Sequence, residues 1–391
     1  MLCQPVSIKP FSGLQVKFPW ISRTKLGSYA SKAGGIHVPL IFVSDALYNF
    51  NMPSHRFLLL AAALLTAPAF AQKADLDFLN HNRPIVDAHN CYPGDHVRRA
   101  LDSGFPVSIE QDLSWYVDPA THKGRVVVGH SDHPDGSEPE LKQYFFEQVR
   151  PVVEQALKQH KTEQWPLILL HFDFKTTQPE LLEAVWNLLG EYQSWLSTAK
   201  KTADPSVLSP IERRPIMAIT EESDEQAKVF FDKVPVGGTL RLFGSTHTAK
   251  IDAPTAAERH HLEATLAPEK LIIEKPTNYR RWWNSSWFTV EEGGQTRAGD
   301  WASADDKRLR SLVDYAHSQG LWIRFYTLDG FDPAQNQGWG TSYNFGSKEA
   351  VIPRWKAAIA AGVNFIAVDQ YEDFATYLPQ YAKDLRPAAK N

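Results

Sequence analysis

The chain has 391 residues, of which 43% are hydrophobic and 22% charged, and its formal net charge is −4. These values are typical of a globular protein with one large or two medium domains. They exclude a disordered, fibrous or multi-span membrane protein.

An export signal is predicted near the N-terminus. Met52 is followed by a basic start that ends at Arg56, an apolar run over 57–70, and small residues at Ala69 and Ala71. The apolar run of about 14 residues is shorter than the roughly 20 needed to span a membrane, which favours a signal peptide over a retained anchor or a buried helix. We predict a signal peptide at 52–71, a mis-assigned extension at 1–51, and a protein that is periplasmic or extracellular.

The remaining residues, 72–391, are predicted to form one domain. The removed segment carries six basic residues and one acidic residue, so the mature chain has a net charge of −9. Such an acidic chain has no general affinity for nucleic acid or for an anionic membrane. Only Cys91 remains of the two cysteines, so no intramolecular disulfide is available and the core must supply the stability.

Short apolar or β-branched runs alternate with amphipathic helical patterns along this domain. Eight such units predict a (β/α)₈ TIM barrel, and a doubly wound open sheet is disfavoured because no glycine-rich phosphate loop follows the first strand. Residues 275–302, rich in Trp, Asn, Gly and Ser, are predicted to form a long loop. The predicted strands are Ile85–His89, Val107–Leu113, Leu167–Phe174, Pro215–Thr220, Thr239–Phe243, Leu271–Glu274, Leu321–Leu328 and Val363–Asp369.

Acidic residues collect at the predicted strand ends, where barrel enzymes carry their chemistry. Glu110 and Asp112 are two residues apart on one strand and share a face, and Asp173 ends the next strand. Three carboxylates without a thiolate suit a hard cation, Mg²⁺ or Ca²⁺. Alternatively, the acids only form ion pairs around the barrel mouth, with Lys175, Arg98 or Arg99.

Two histidines are candidates for proton transfer. His89 ends the first strand and His130 follows a short extra strand, and imidazole titrates near neutral pH. Lys175 lies on the same face as Asp173 and would meet an anionic oxygen, or else form a salt bridge with Asp112 or Asp173.

The order of these motifs resembles the glycerophosphodiester phosphodiesterase group of the phospholipase C-like phosphodiesterase superfamily. The likeness covers most of residues 84–375 and includes the stretches 320–327 and 362–369 as the seventh and eighth strands. It implies an acid/base pair, a Mg²⁺ or Ca²⁺ site and a phosphate contact. The implied residues are His89 and His130 for proton transfer, Glu110, Asp112 and Asp173 for the metal, and Lys175 for phosphate.

One departure from the family pattern concerns the residues after His89. Family members carry arginine and glycine there, whereas this chain has Asn90 and Cys91. Either Arg324, Arg98 or Arg99 takes over the phosphate contact, or the substrate differs. The chain therefore resembles a divergent branch, which also includes phospholipid-cleaving toxins.

These observations predict a secreted, metal-dependent phosphodiesterase acting on glycerophosphodiesters or phospholipid headgroups. The tryptophans of the predicted loop, Trp282, Trp283 and Trp287, would form a headgroup wall, contact a membrane transiently, or pack as a lid. The alternatives are a secreted barrel that binds without catalysis, and a metal-dependent amidohydrolase or histidinol-phosphatase-type phosphoesterase. The latter would need a second histidine where Cys91 stands.

Overall fold

The computed structural model describes residues 85–88, 94–160, 162, 165–292, 294, 298–335 and 344–381. Eight parallel strands close into a barrel with helices between them, so the predicted TIM barrel is confirmed. The predicted signal peptide and the extension before it lie outside the described residues. The barrel strands are β1 Ile85–Ala88, β2 Val107–Val117, β3 Ile168–Phe174, β4 Ile216–Thr220, β5 Leu242–Ser245, β6 Arg280–Ser286, β7 Trp322–Tyr326 and β8 Phe365–Val368.

Strand β1 closes the barrel because it pairs in parallel with both β8 and β2. A shorter strand, Gly124–Val128, runs antiparallel to the second half of β2, and a two-stranded sheet joins Ala199–Lys200 to Thr239–Leu240. The helices are α1 His96–Asp102, α2 Glu147–Gln159, α3 Pro179–Glu191, α4 Asp224–Ala227, α5 Ala256–Thr265, α6 Pro268–Leu271, α7 Ser303–Gln319, α8 Lys348–Ala361 and α9 Tyr371–Tyr381. None of the described helices is long and apolar enough to cross a membrane.

Two apolar layers form the core, one on each face of the strands. Alternate side chains of every strand point inwards, where Ile85, Leu169, Met217 and Phe365 belong to the interior cluster. The intervening side chains, such as Ile109, pack against the helices. Burial on both faces explains why several of the barrel strands, such as β4 and β8, are nearly continuous apolar runs.

Glycines end the two helices that lead into the last strands. Gly320 follows α7 with φ 82°, and Gly362 follows α8 with φ 86°. This left-handed conformation is cheap for glycine and stops a helix. The next strand therefore begins within a few residues of each helix, at Trp322 and at Phe365.

Two strand predictions were wrong. Leu271–Glu274 is not a barrel strand, because Leu271 ends α6 and the sixth strand is Arg280–Ser286, inside the predicted loop. The predicted strand Thr239–Phe243 is divided between the small sheet and β5. Strand β6 has few aliphatic or β-branched residues, and its pairing with neighbours on both sides overrides its weak local preference.

The three tryptophans of the predicted loop are fully buried, so the predicted membrane contact through them was wrong. Trp282 points into the barrel, where its ring centroid lies 6.0 Å from that of Phe365. Trp283 and Trp287 pack on the outer face of the strands against Phe325, with centroids 6.2 and 5.4 Å away. Trp282 thus belongs to the interior layer of the core, and Trp283 and Trp287 belong to the layer between strands and helices. None of the three side chains is exposed to a lipid.

Candidate functional site

Ionisable side chains fill the interior of the barrel above its apolar floor. Strands β2 and β3 pair so that Glu110 lies opposite His171 and Asp112 lies opposite Asp173. Asp87 of β1 points inwards as well and lies within contact distance of His171. The site therefore follows from the alternation of side chains along three adjacent strands.

The structure brings together the three predicted metal ligands. Oxygen atoms of Glu110, Asp112 and Asp173 all lie within 4.8 Å of one another at the C-terminal ends of the strands. This end of a barrel, the barrel mouth, is where enzymes of this fold carry their active sites. The arrangement could hold a metal ion through oxygen ligands alone.

Lys175 lies between two of these carboxylates. Its Nζ is 2.9 Å from Oδ1 of Asp112 and 2.5 Å from Oδ2 of Asp173. Burial opposes the charged ammonium, but Asp173 and Asp112 outweigh it and hold the pKa of Lys175 above its usual range. The group of three carboxylates expected for a metal site is therefore present at the barrel mouth. The ion pairs with Lys175, expected as the alternative, are present at the same place.

Arg324 forms a buried hydrogen-bond network with Asp87, Glu110 and Asn284. Its Nε donates to Asp87 at 2.6 Å, Nη2 donates to Glu110 at 2.5 Å, and Nη1 donates to Asn284 at 3.0 Å. Only 3% of its side chain is exposed. Arg324 therefore orients two carboxylates, and its contact with a substrate phosphate stays a prediction. The other two candidates are engaged elsewhere, Arg98 with Asp95 and Asp102, and Arg99 with Glu372.

His171 is completely buried and contacts carboxylates through both ring nitrogens. Its Nδ1 lies 3.2 Å from Asp87 and 3.2 Å from Glu110, and its Nε2 lies 3.0 Å from Glu221. Burial and Arg324 disfavour the charged ring, but Glu110 and Asp87 outweigh them and hold the pKa of His171 well above its usual value. Both ring nitrogens can donate to carboxylates only when the ring is protonated, so we assign His171 a positive charge that positions its neighbours.

The charges of this site do not balance. The five acids of the site, which we call the carboxylate cluster, are Asp87, Glu110, Asp112, Asp173 and Glu221. Their five negative charges face three positive groups, Lys175, Arg324 and His171, so these described residues have an excess of two negative charges. Burial, and then Glu110, raise the pKa of Asp173 to about 6, as expected for a carboxylate with too little counter-charge. A divalent cation would restore neutrality, and an all-oxygen ligand set suits Mg²⁺ or Ca²⁺.

Of the two residues predicted to transfer protons, only His130 is among the residues that the structure describes. His89 lies outside the described residues, so its role stays a prediction. His130 is exposed, and it follows Gly129, whose backbone N–H donates to the carbonyl oxygen of Asp112 at 2.9 Å. The structure therefore places the backbone next to His130 beside the strand that carries Asp112.

Sequence reasoning missed Glu221 and Asn284 and gave no role to Asp87 or His171. Glu221 follows β4 immediately, and an acid directly after a buried strand is a signal that points to it. Asn284 lies in the strand that was predicted as a loop, so its inward position had no visible pattern. Asn284 links Glu221 to Arg324, since its Nδ2 donates to Glu221 at 2.7 Å while its Oδ1 accepts from Arg324.

No protein-family model matches the chain, and no curated protein matches it. Among solved structures it is similar to a triple mutant of Plasmodium falciparum HPPK-DHPS, with a TM-score of 0.39 and 11% identity over 78% of this chain and 48% of that one. It is also similar to a calcium-dependent phosphoinositol-specific phospholipase C from Pseudomonas sp, with a TM-score of 0.35 and 12% identity over 75% of this chain and 90% of that one. The chain spans about half the length of the Plasmodium protein. At this level of similarity the comparisons do not place the chain in a family.

Proposed function

We propose that this protein is an exported phosphodiesterase that depends on a divalent cation and acts at the barrel mouth. The observation that carries the proposal is the carboxylate cluster, with three acids close enough to share one ion and an excess of two negative charges. Uncompensated acids that are buried or half-buried destabilise a fold, so their grouping here favours a functional role. The sequence resemblance to glycerophosphodiester phosphodiesterases supports the same reaction.

Glu110, Asp112 and Asp173 would hold Mg²⁺ or Ca²⁺. When bound, such an ion neutralises developing negative charge on a phosphodiester and activates its phosphorus towards attack. Lys175 is the most accessible of the three positive side chains, with 16% of its side chain exposed against 3% for Arg324 and none for His171. We therefore assign to Lys175 the contact with a phosphate oxygen, and to Arg324 the orientation of Asp87 and Glu110.

Proton transfer is proposed for His89 and His130. One imidazole would take a proton from the attacking water or hydroxyl, and the other would give a proton to the departing alkoxide. His171 does not suit this task, because both of its ring nitrogens already face carboxylates inside the barrel. Export is proposed from the signal-like pattern of residues 52–71.

The test is hydrolysis of bis(4-nitrophenyl) phosphate before and after treatment with EDTA. We expect EDTA to abolish the activity, Mg²⁺ or Ca²⁺ to restore it, and Asp112→Asn to prevent the restoration. His130→Ala should lower the rate by about 10²–10⁴. His133→Ala, a change at a histidine that is 92% exposed three residues further on, is the matched control and should leave the rate unchanged.

Two results would overturn the proposal. Activity that persists in EDTA would mean that Lys175 and Arg324, rather than a metal, supply the positive charge. Absence of hydrolysis in a folded, metal-loaded protein would favour a barrel that binds its ligand without catalysis.

A further inference from the structure

A cavity on the outer side of the barrel has no part in the site described above. Its volume is about 380 Å³, and we call it the outer pocket. Phe231 and Tyr279, which line it, belong to the apolar layer between strands and helices, whereas the carboxylate cluster lies inside the barrel. None of the described residues that line the outer pocket belongs to that cluster. The outer pocket is therefore a separate candidate for a binding site.

The apolar part of the outer pocket is an aromatic wall. The rings of Phe231 and Tyr279 are stacked, with centroids 5.6 Å apart and planes at 25°. Tyr279 lies against β5 at Gly244, where a Cβ atom would come within 2.7 Å of the tyrosine ring, so glycine makes room for it. Pro205 and Ala227 complete the apolar lining. Such a surface favours a planar, apolar ligand.

Hydrogen bonds fix the turn that carries Tyr279. Oγ1 of Thr277 accepts from the backbone N–H of Arg280 at 2.9 Å, and the backbone N–H of Thr277 donates to the carbonyl oxygen of Arg280 at 2.7 Å. The backbone N–H of Asn278 in the same turn donates to the carbonyl oxygen of Pro205 at 2.6 Å. The turn and Pro205, which lie on different segments of the chain, are therefore held together around the pocket.

The hydroxyl group of Tyr279 has no hydrogen-bond partner in the part of the chain that the structure describes, although the residue is only 2% exposed. Burial raises the pKa of Tyr279 well above its usual value, so the hydroxyl stays protonated and can donate. A buried hydroxyl without a partner is unfavourable. A ligand with a hydrogen-bonding group at its inner end would remove this cost.

The charged side chains at the outer pocket leave one cation available. Both carboxylate oxygens of Glu274 face His247, with Oε2 3.0 Å from its backbone nitrogen and Oε1 2.9 Å from its Nδ1. Arg280 donates to Asp224 at 2.9 Å. Lys275, by contrast, is exposed and forms no ion pair with any described residue. An anionic group at the entrance of the pocket would pair with Lys275.

We infer that the outer pocket binds an aromatic carboxylate that carries a polar group on its ring, opposite the carboxylate. The ring would pack along the aromatic wall, the carboxylate would pair with Lys275, and the polar group would form a hydrogen bond with the Tyr279 hydroxyl. The volume suits a ligand of this size. A phosphate ester fits less well, because its two charges would meet a single unpaired cation beside an aromatic wall.

The first test is a ligand-observed NMR titration of the parent protein, in EDTA, with three related compounds. p-Coumarate carries the carboxylate and the ring hydroxyl, cinnamate lacks the hydroxyl, and p-coumaryl alcohol lacks the carboxylate. We expect p-coumarate to bind at one site with a dissociation constant below about 1 mM, and each of the others to bind at least about threefold more weakly, the loss expected for one hydrogen bond or one exposed ion pair. No saturable binding of p-coumarate, or equal binding of all three, would overturn the inference.

Two variants locate the site. Lys275→Gln should remove the preference for p-coumarate over p-coumaryl alcohol, and Tyr279→Phe should remove the preference for p-coumarate over cinnamate. Lys270→Gln changes an exposed lysine outside the pocket, so this matched control should bind all three compounds as the parent does. If either preference survives in its variant, the ligand lies elsewhere and the inference is wrong.

Urea unfolding distinguishes a ligand contact at Tyr279 from a hydrogen bond within the protein. Because the hydroxyl has no partner in the described structure, Tyr279→Phe without ligand should unfold at the same or a higher urea concentration than the parent. At one fixed concentration of p-coumarate, the parent should gain more stability than Tyr279→Phe. A lower midpoint for Tyr279→Phe without ligand would contradict the inference. These measurements in EDTA need no turnover, so their outcome is independent of the proposed function.

Discussion

Replacing Asp173 with asparagine should make the metal-free protein more stable. Burial and the neighbouring acids Glu110, Glu221 and Asp112 raise the pKa of Asp173 to about 6, from 3.8 in an unfolded chain, although Lys175 opposes them. The ionised carboxylate is therefore less favourable in the folded state than its neutral form. Asparagine imitates the neutral form at nearly the same size.

The increase in the pKa of Asp173, from 3.8 to about 6, corresponds to about 3 kcal/mol of unfolding free energy lost on ionisation. Because 32% of the Asp173 side chain is exposed, solvent screens part of this, and we expect a gain of about 1–2 kcal/mol in unfolding free energy. Between pH 4 and 6 the folded parent binds more protons than the unfolded chain, so its stability falls relative to the variant as pH rises. The difference should be complete above pH 6 and should vanish below about pH 4.

Urea unfolding in EDTA at several pH values measures this difference. Asp132→Asn, a change at a side chain that is 69% exposed, is the control and should show no comparable gain. Saturating Mg²⁺ or Ca²⁺ should stabilise the parent and not Asp173→Asn, because ligand binding to the folded state adds stability only where the site is intact. If Asp173→Asn is less stable than the parent at pH 7.5 in EDTA, the charge imbalance inferred for this site is refuted.

Three further predictions concern the barrel interior. Arg324→Met should lower the unfolding free energy by about 3–5 kcal/mol, because it removes the guanidinium that pairs with the buried acids Asp87 and Glu110 and leaves them to share His171, and a loss below about 1 kcal/mol in urea would contradict the network. Burial opposes ionisation of Asp87, but Arg324 and His171 outweigh it and lower its pKa to about 2, so its stabilising effect should be present above pH 4 and disappear as pH falls towards 2. Asp87→Asn should therefore be less stable than the parent at pH 7 and approach it in acid unfolding, whereas a constant difference down to pH 2 would argue against the pairing. Trp282→Ala should cost about 3–5 kcal/mol and leave co-sedimentation with anionic vesicles unchanged, and altered vesicle binding would restore a role for this side chain at membranes.

The sequence alone predicted those site residues that follow the alternation of side chains along an apolar strand. Glu110 and Asp112 are two residues apart in an apolar strand, which places both side chains inside the barrel, and Asp173 stands at the matching place on the next strand. Parallel pairing of adjacent strands then brings the three acids together. The period-two pattern and the strand order thus suffice for this part of the site.

The sixth strand had no such pattern. Arg280–Ser286 combines arginines, tryptophans, an asparagine and serines, and it is a strand because β5 and β7 pair with it on both sides. Asn284 was missed with it. Glu221 and His171 were missed as members of the site for another reason, since their roles depend on contacts between β3, β4 and β7. Such contacts depend on side-chain packing across the barrel and leave no spacing signal along the chain.

Calorimetric titration of EDTA-treated, desalted protein with Ca²⁺ and with Mg²⁺ tests the central claim most directly. The carboxylate cluster predicts one divalent cation per chain, with binding lost in Asp112→Asn and retained in the control Asp132→Asn. Failure of the folded parent to bind either ion would contradict a metal site at the barrel mouth.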